Sequence, residues 1–122
     1  MTAIDDKYCI ELEKLKSAYL QQLVNTHEEV FTLEARIEEI ISEMVEMRRQ
    51  IVTLLRIPQA ERPATYEWQM SLVEYQNKKE SLDAEIVEAG NRLSELHFRI
   101  GAYERLIAIM EEKIAACRRG VS

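Results

Sequence analysis

Residues that break helices or build sheets are scarce in this chain. Its 122 residues include two prolines and three glycines, and only 7% of them are aromatic. Turns depend on glycine and proline, and strands favour aromatic and β-branched side chains. The composition therefore argues against a sheet protein and predicts long helices.

Basic residues are outnumbered by acidic ones. The chain has 16 Lys and Arg against 22 Asp and Glu, a net charge of −6. Binding to phosphate groups needs a basic surface, so we do not expect direct nucleic-acid binding. No apolar run approaches the roughly 20 residues that span a bilayer, and the first residues lack a signal peptide's apolar core. We expect a cytoplasmic protein with no membrane insertion, and the sequence leaves open export by a route without a cleaved signal.

Groupings that perform chemistry are missing as well. His27 begins a segment like HExxH, but Phe31 stands where that motif needs its second histidine. There is no glycine-rich phosphate loop and no nucleophile beside a base in sequence, and coiled helices seldom form the concave pocket of an active site. We predict no enzyme activity, no catalytic residue, no metal, no cofactor and no small-molecule substrate.

The two cysteines, Cys9 and Cys117, lie near opposite ends of the chain and in no CxxC context. If the chain folds back on itself, they come to neighbouring levels, so a disulfide is geometrically conceivable. A reducing cytoplasm favours free thiols, and free cysteine packs as a small hydrophobe. We expect the reduced form, although the sequence leaves the pairing open.

What the chain has in abundance is a seven-residue repeat of apolar side chains, at steps of three and four, which keeps one helical stripe facing a partner helix. In the second half the stripe is Leu72, Tyr75, Lys79, Leu82, Ile86, Ala89, Leu93, Leu96, Ile100, Tyr103, Ile107, Met110, Ile114, Cys117 and Val121. In the first half it is Tyr8, Leu12, Leu15, Tyr19, Leu23, Thr26, Val30, Leu33, Ile37, Ile40, Met44, Met47, Ile51 and Leu54. Two consecutive steps of four, from Leu15 to Leu23, predict a stutter that locally unwinds a supercoil.

These stripes predict one domain over 1–122, with a helix over about 3–57, a turn over about 58–64 and a helix over about 65–119. The connector is short, so the helices should run antiparallel. The expected fold is all-α, a coiled-coil hairpin of two long antiparallel helices.

Residues at the ends of the two stripes support these boundaries. Thr2 is a candidate N-cap of the first helix, and Pro58 disfavours helical geometry in the residue before it. Either Thr65 as N-cap or Pro63 in the first turn begins the second helix, and Gly120 ends it.

The antiparallel arrangement also predicts a register. Facing residues should have numbers that sum to about 122 or 123, which pairs Tyr19 with Tyr103 and Ile40 with Leu82. Lys79 is the only charge on the second stripe, and we expect its long side chain to reach toward Glu43 or a glutamate nearby.

A second set of apolar residues lies outside this seam, and a two-helix coil would leave it in water. A contiguous exposed apolar strip usually marks an interface. The predicted partner or oligomer interface is Leu20, Val24, Phe31, Ile41, Val45, Val52, Leu55, Val87, Phe98, Ala102, Leu106 and Ile109. We favour a homodimer forming a four-helix bundle over a complex with another helical protein, because most soluble oligomers are symmetric homo-oligomers.

The first helix also carries an acidic patch, formed by Glu34, Glu38, Glu39, Glu43 and Glu46. It is either a landing site for a basic partner or a solvated helix surface, and the second interpretation is favoured.

Together these features indicate a non-enzymatic protein–protein interaction module, such as an adaptor, chaperone or assembly factor, that presents a helix face to partners. One alternative is a structural homo-oligomeric rod component of phage or cytoskeletal type. The other is a small acidic inhibitor of a basic, nucleic-acid-binding partner.

Overall fold

Two long helices form the protein. The computed structural model describes residues 3–61 and 65–120, with side chains described for 6–58, 60–61 and 67–120. Helix α1 spans Ala3–Arg56, a short 3-10 helix spans Gln59–Glu61, and helix α2 spans Thr65–Arg118. No strand forms within the described ranges. The predicted all-α helical hairpin is confirmed, and each predicted helix end lies within one residue of the observed one.

The helix ends follow from local chemistry. Past Pro58, the amide of Glu61 donates to the Pro58 carbonyl at 2.9 Å and closes the 3-10 turn. At the end of α2, Gly120 takes a φ of 73° and its amide donates to the carbonyl of Cys117. Glycine adopts this left-handed conformation without a Cβ penalty, which confirms Gly120 as the stop. The expected roles of Thr2, Pro63, Val121 and the Thr65 side chain lie outside the described residues.

The chain forms two compact units, each made from both helices. The turn unit is Leu33–Arg92, and the terminal unit combines Met1–Thr32 with Leu93–Ser122. This division leaves the prediction of a single domain untested.

The core of the turn unit is built by the predicted stripes. Ile40, Met47 and Leu82 are buried in one cluster, with Met44, Tyr75 and Ile86 packed against it. Ile40 is fully enclosed, and it belongs to the same cluster as its predicted partner Leu82.

The core of the terminal unit is also built by the predicted stripes. Leu12, Met110 and Ile114 form its buried cluster, with Tyr19 packed against them. The rings of Tyr19 and Tyr103 lie 6.3 Å apart, which confirms the predicted pair. Thr26 is buried on this seam. Its hydroxyl donates to the Gln22 carbonyl at 2.7 Å, so the buried oxygen has a hydrogen-bond partner.

The predicted stutter in α1 was wrong. Tyr8 and Leu15 were expected on the seam, but they are 54% and 43% exposed. Cys9 and the half-buried Lys16 take these places, and the spacing from Cys9 to Leu54 then alternates strictly between three and four. Lys16 tolerates the position because its ammonium lies 3.4 Å from Glu111 across the hairpin. Helix α2 has no stutter, so a regular repeat in α1 keeps both helices in phase.

The expectation of reduced cysteines was also wrong. Cys9 and Cys117 form a disulfide in the terminal unit, with their Cα atoms 5.9 Å apart. Cys117 lies on the α2 seam as predicted, and the regular repeat of α1 turns Cys9 toward it. The preference for free thiols rested on an assumed compartment. The numbers of Cys9 and Cys117 sum to 126, so the register at this end of the hairpin differs by three to four residues from the predicted sum of 122 or 123.

Neither helix, as far as it is described, contains a segment long and apolar enough to cross a membrane.

Candidate interaction surface

Most of the predicted interface residues are exposed. Nine of the twelve are open to solvent, and the other three, Val52, Ala102 and Leu106, are half-buried. The largest are the most open: Phe31 is 75% exposed and Phe98 is 72% exposed. Their exposure is a fact of the hairpin, and their role as an interface stays a prediction.

On α1 these residues form a second stripe beside the seam. They are Leu20, Val24, Phe31, Ile41, Val45, Val52 and Leu55. At 3.6 residues per turn this stripe lies about 100° around the helix from the seam. That angle is close to the angle between the two contact faces of a helix in a four-helix bundle.

On α2 the exposed apolar residues are distributed differently. In the terminal unit, Phe98 and Ile109 are exposed while Ala102 and Leu106 are half-buried. In the turn unit, Val87 is 63% exposed.

Several exposed apolar residues were missed by the sequence prediction. They are Tyr8, Ile10, Leu15, Met70 and Val73. Ile10 continues the α1 stripe by regular spacing, so the same pattern would have found it. Tyr8 and Leu15 were missed because the assumed stutter placed them on the seam.

Residues of the acidic patch are all exposed, but they are not all equally available. The guanidinium of Arg36 lies 3.1 Å from Glu39 and 3.8 Å from Glu43, and Arg49 pairs with Glu46 at 3.0 Å. Within the described chain, Glu34 and Glu38 have no ion pair or side-chain hydrogen bond. The free negative charge of the patch is therefore concentrated at Glu34 and Glu38.

Arg36 also links the two helices of the turn unit. Its Nε donates to one oxygen of Glu85 at 2.7 Å, and Nη2 donates to the other oxygen at 3.0 Å. Such a two-pronged contact fixes geometry as well as charge. The hydrogen bonds from Arg36 lower the pKa of Glu85, against a smaller opposing effect of desolvation. The same contact raises the pKa of Arg36.

A groove of about 400 Å³ runs beside the α1 stripe in the turn unit. Its apolar walls include Ile41, Val45 and Tyr75, and its two cations are Arg48 and Lys79. Lys79 was expected to reach Glu43 or a glutamate nearby, but its ammonium lies 3.5 Å from Asp83, one turn along its own helix. Arg48 has no ion pair with any described residue.

Metal ligands do not converge in the described part of the chain, where no group of three or more His, Cys, Asp or Glu residues could hold an ion. The geometry so far offers two things: exposed apolar stripes and a few unpaired charges beside them.

No protein-family model matches the chain, and no curated protein or solved structure shows significant similarity to it.

Proposed function

We propose that this chain is a non-enzymatic protein–protein interaction module, working as an adaptor, chaperone or assembly factor that presents a helix face to partners, either a second copy of itself or another helical protein. One observation carries the proposal: the apolar stripe of α1 is exposed, apart from the half-buried Val52, beside a seam that is already filled. Burying a phenylalanine side chain from water is worth about 1.5–3 kcal/mol, so Phe31 and Phe98 would contribute strongly to association.

The acidic patch gives less support to the inhibitor alternative. Three of its five carboxylates, Glu39, Glu43 and Glu46, already have guanidinium partners within the chain. A basic ligand would compete with these contacts, so the apolar stripe is the better candidate for the main contact surface. The rod alternative uses the same stripe and differs only in the number of copies that associate.

The Cys9–Cys117 disulfide bears on where the module works. A structural disulfide persists in oxidising compartments and is rare in the cytoplasm. The predicted cytoplasmic location conflicts with this pairing, and a module that operates in an oxidising compartment agrees with it.

Site-specific photo-crosslinking in the producing cells tests the proposal. p-Benzoylphenylalanine replaces Phe31 in one variant and Phe98 in another, and it replaces Ala18 in the control. Ala18 is exposed on α1 but lies off the stripe. Illumination should yield a discrete adduct from position 31 or 98 and none from position 18, and mass spectrometry identifies the attached chain.

Absence of an adduct from both positions, in variants that retain native helicity and the disulfide, would contradict the proposal.

A further inference from the structure

Unpaired charges lie between the apolar residues in one part of the α1 stripe. We call it the α1 flank: Glu34, Glu38, Ile41, Val45, Arg48 and Val52, spaced alternately by four and three. All six lie in the turn unit, and all but the half-buried Val52 are exposed. Ile41 and Val45 are 50% and 53% exposed at its centre.

The charges of the α1 flank are the ones that the hairpin leaves without partners. Arg36 and Arg49 are occupied by Glu39, Glu43, Glu85 and Glu46. Among the described residues Glu34, Glu38 and Arg48 have no ion-pair partner. The flank is thus acidic toward its N-terminal end, apolar in the middle and basic toward its C-terminal end.

A pattern of this kind is complementary to itself when one copy is reversed. In an antiparallel pairing whose facing numbers sum to 86, Ile41 faces Val45 of the second copy and Glu38 faces Arg48 of the second copy. The two-fold axis repeats both contacts, which is the property of an isologous interface.

Other arrangements of the same two helices are worse. A parallel two-fold pairing places Arg48 against Arg48 and Glu38 against Glu38, and like charges at an interface are strongly unfavourable. A slip of one heptad in the antiparallel pairing places Arg48 opposite Phe31 or Val45, so it loses its carboxylate. The charges therefore select the antiparallel direction, and they disfavour a slip of one heptad in either sense.

We propose that the α1 flank binds a second copy of this chain, antiparallel, with Ile41 opposite Val45 and Glu38 opposite Arg48. This inference rests on the proposed function and names its partner. The groove beside the flank supplies the space, because Ile41, Val45 and Arg48 line it together with Tyr75. A side chain from the second copy enters that groove as a knob enters a hole.

The net negative charge of the chain opposes dimerisation, so the pairing of Glu38 with Arg48 is needed to offset it. Two copies at −6 each repel one another at long range. Two Glu38–Arg48 contacts per dimer bring opposite charges together where the helices are closest, and they offset part of that repulsion.

Charge reversal on the full-length, disulfide-bonded protein tests the register. The variants are Glu38→Lys alone, Arg48→Glu alone, and an equimolar mixture of the two, studied by sedimentation equilibrium and native mass spectrometry. Each single variant places like charges in both contacts, so its dimer dissociation constant should rise by at least about tenfold.

The mixture gives the decisive result. In a mixed dimer the introduced lysine faces the introduced glutamate, while native Arg48 faces native Glu38. The mixed dimer should therefore recover native affinity and exceed either homodimer. Glu11→Lys is the matched control, because Glu11 is exposed on α1 away from the flank, and it should leave the affinity unchanged. Native helicity and the intact disulfide show that each variant is folded.

Two results would overturn the inference. One is native protein that stays monomeric at millimolar concentration. The other is a dimer whose dissociation constant is unchanged by both charge reversals, or a mixture in which the mixed dimer is no tighter than the homodimers. A monomer that still crosslinks to another chain through Phe31 overturns self-pairing alone, whereas a monomer without any adduct removes the interaction module as well.

Discussion

Arg36 joins the two helices of the turn unit through its charge. It bridges α1 and α2 through Glu85 and also contacts Glu39 and Glu43 on its own helix. Exposed ion pairs are individually weak, but a forked contact within a network holds two helices at one register. The sequence showed only that Arg36 is the base among many glutamates, and the cross-helix partner emerged from the packing.

The pKa of Glu85 leads to a prediction about acid. Its folded pKa lies below the ordinary pKa of a glutamate in the unfolded chain, so its stabilising contribution is present above that ordinary pKa. The contribution is lost as the pH falls through the folded pKa. We expect Glu85→Gln to lower the thermal unfolding midpoint at neutral pH, with the difference from native protein vanishing in acid.

Thermal melts from neutral to acidic pH, followed by circular dichroism, measure this difference. Glu88→Gln is the control, since Glu88 is exposed on the same helix and has no ion pair with a described residue. If Glu85→Gln and native protein melt alike at every pH, the Arg36 contact does not stabilise the hairpin.

At the scale of the helix, periodicity predicted much of the structure. Both helices, their ends and pairs such as Tyr19–Tyr103 followed from apolar spacing and a short connector. The phase of the first four turns of α1 did not follow, because Leu15 looks like a better seam residue than Lys16. Hydrophobicity favours Leu15, but the continuous repeat and the contact of Lys16 with Glu111 decide otherwise.

The phase of α1 is testable with two identical substitutions. Leu96 is fully buried in the terminal unit, so Leu96→Ala should lower the free energy of unfolding by about 2–5 kcal/mol. Leu15 is exposed, so Leu15→Ala should change it by only about 0.5 kcal/mol. Chemical denaturation followed by circular dichroism measures both, at one protein concentration. Equal losses of unfolding free energy in the two variants would show that Leu15 is buried on the seam.

At the scale of the whole molecule, the sequence predicted the hairpin and left its covalent closure open. Two matched stripes and a connector with two prolines leave few alternatives to folding back. The disulfide depends on redox conditions as well as geometry, and composition carries no redox information. The apolar spacing does not identify the binding partner either. An exposed stripe shows that apolar area is available, but it does not show which molecule covers that area.

Reduction of Cys9–Cys117 should destabilise the protein as a whole. The bond joins residues 108 positions apart, so it restricts the unfolded chain strongly. In the chain-entropy account a loop of this length contributes about 4.7 kcal/mol, and measured losses are typically about 2–5 kcal/mol. Chemical denaturation with and without reductant measures the change in the free energy of unfolding. A Cys9→Ser/Cys117→Ser variant should have the stability of the reduced protein, and reductant should not change it. Equal stability of both forms would show that the bond is dispensable.

The disulfide has one more consequence, for proteolysis. Peptide bonds join the helices through the connector, and the sulfur atoms join them again near the termini, so the main chain is a covalent ring. A protease that cuts beside Arg56 would open that ring without releasing either half. The nicked molecule would migrate as one species until a thiol was added, and it would then separate into two fragments that each carry one helix.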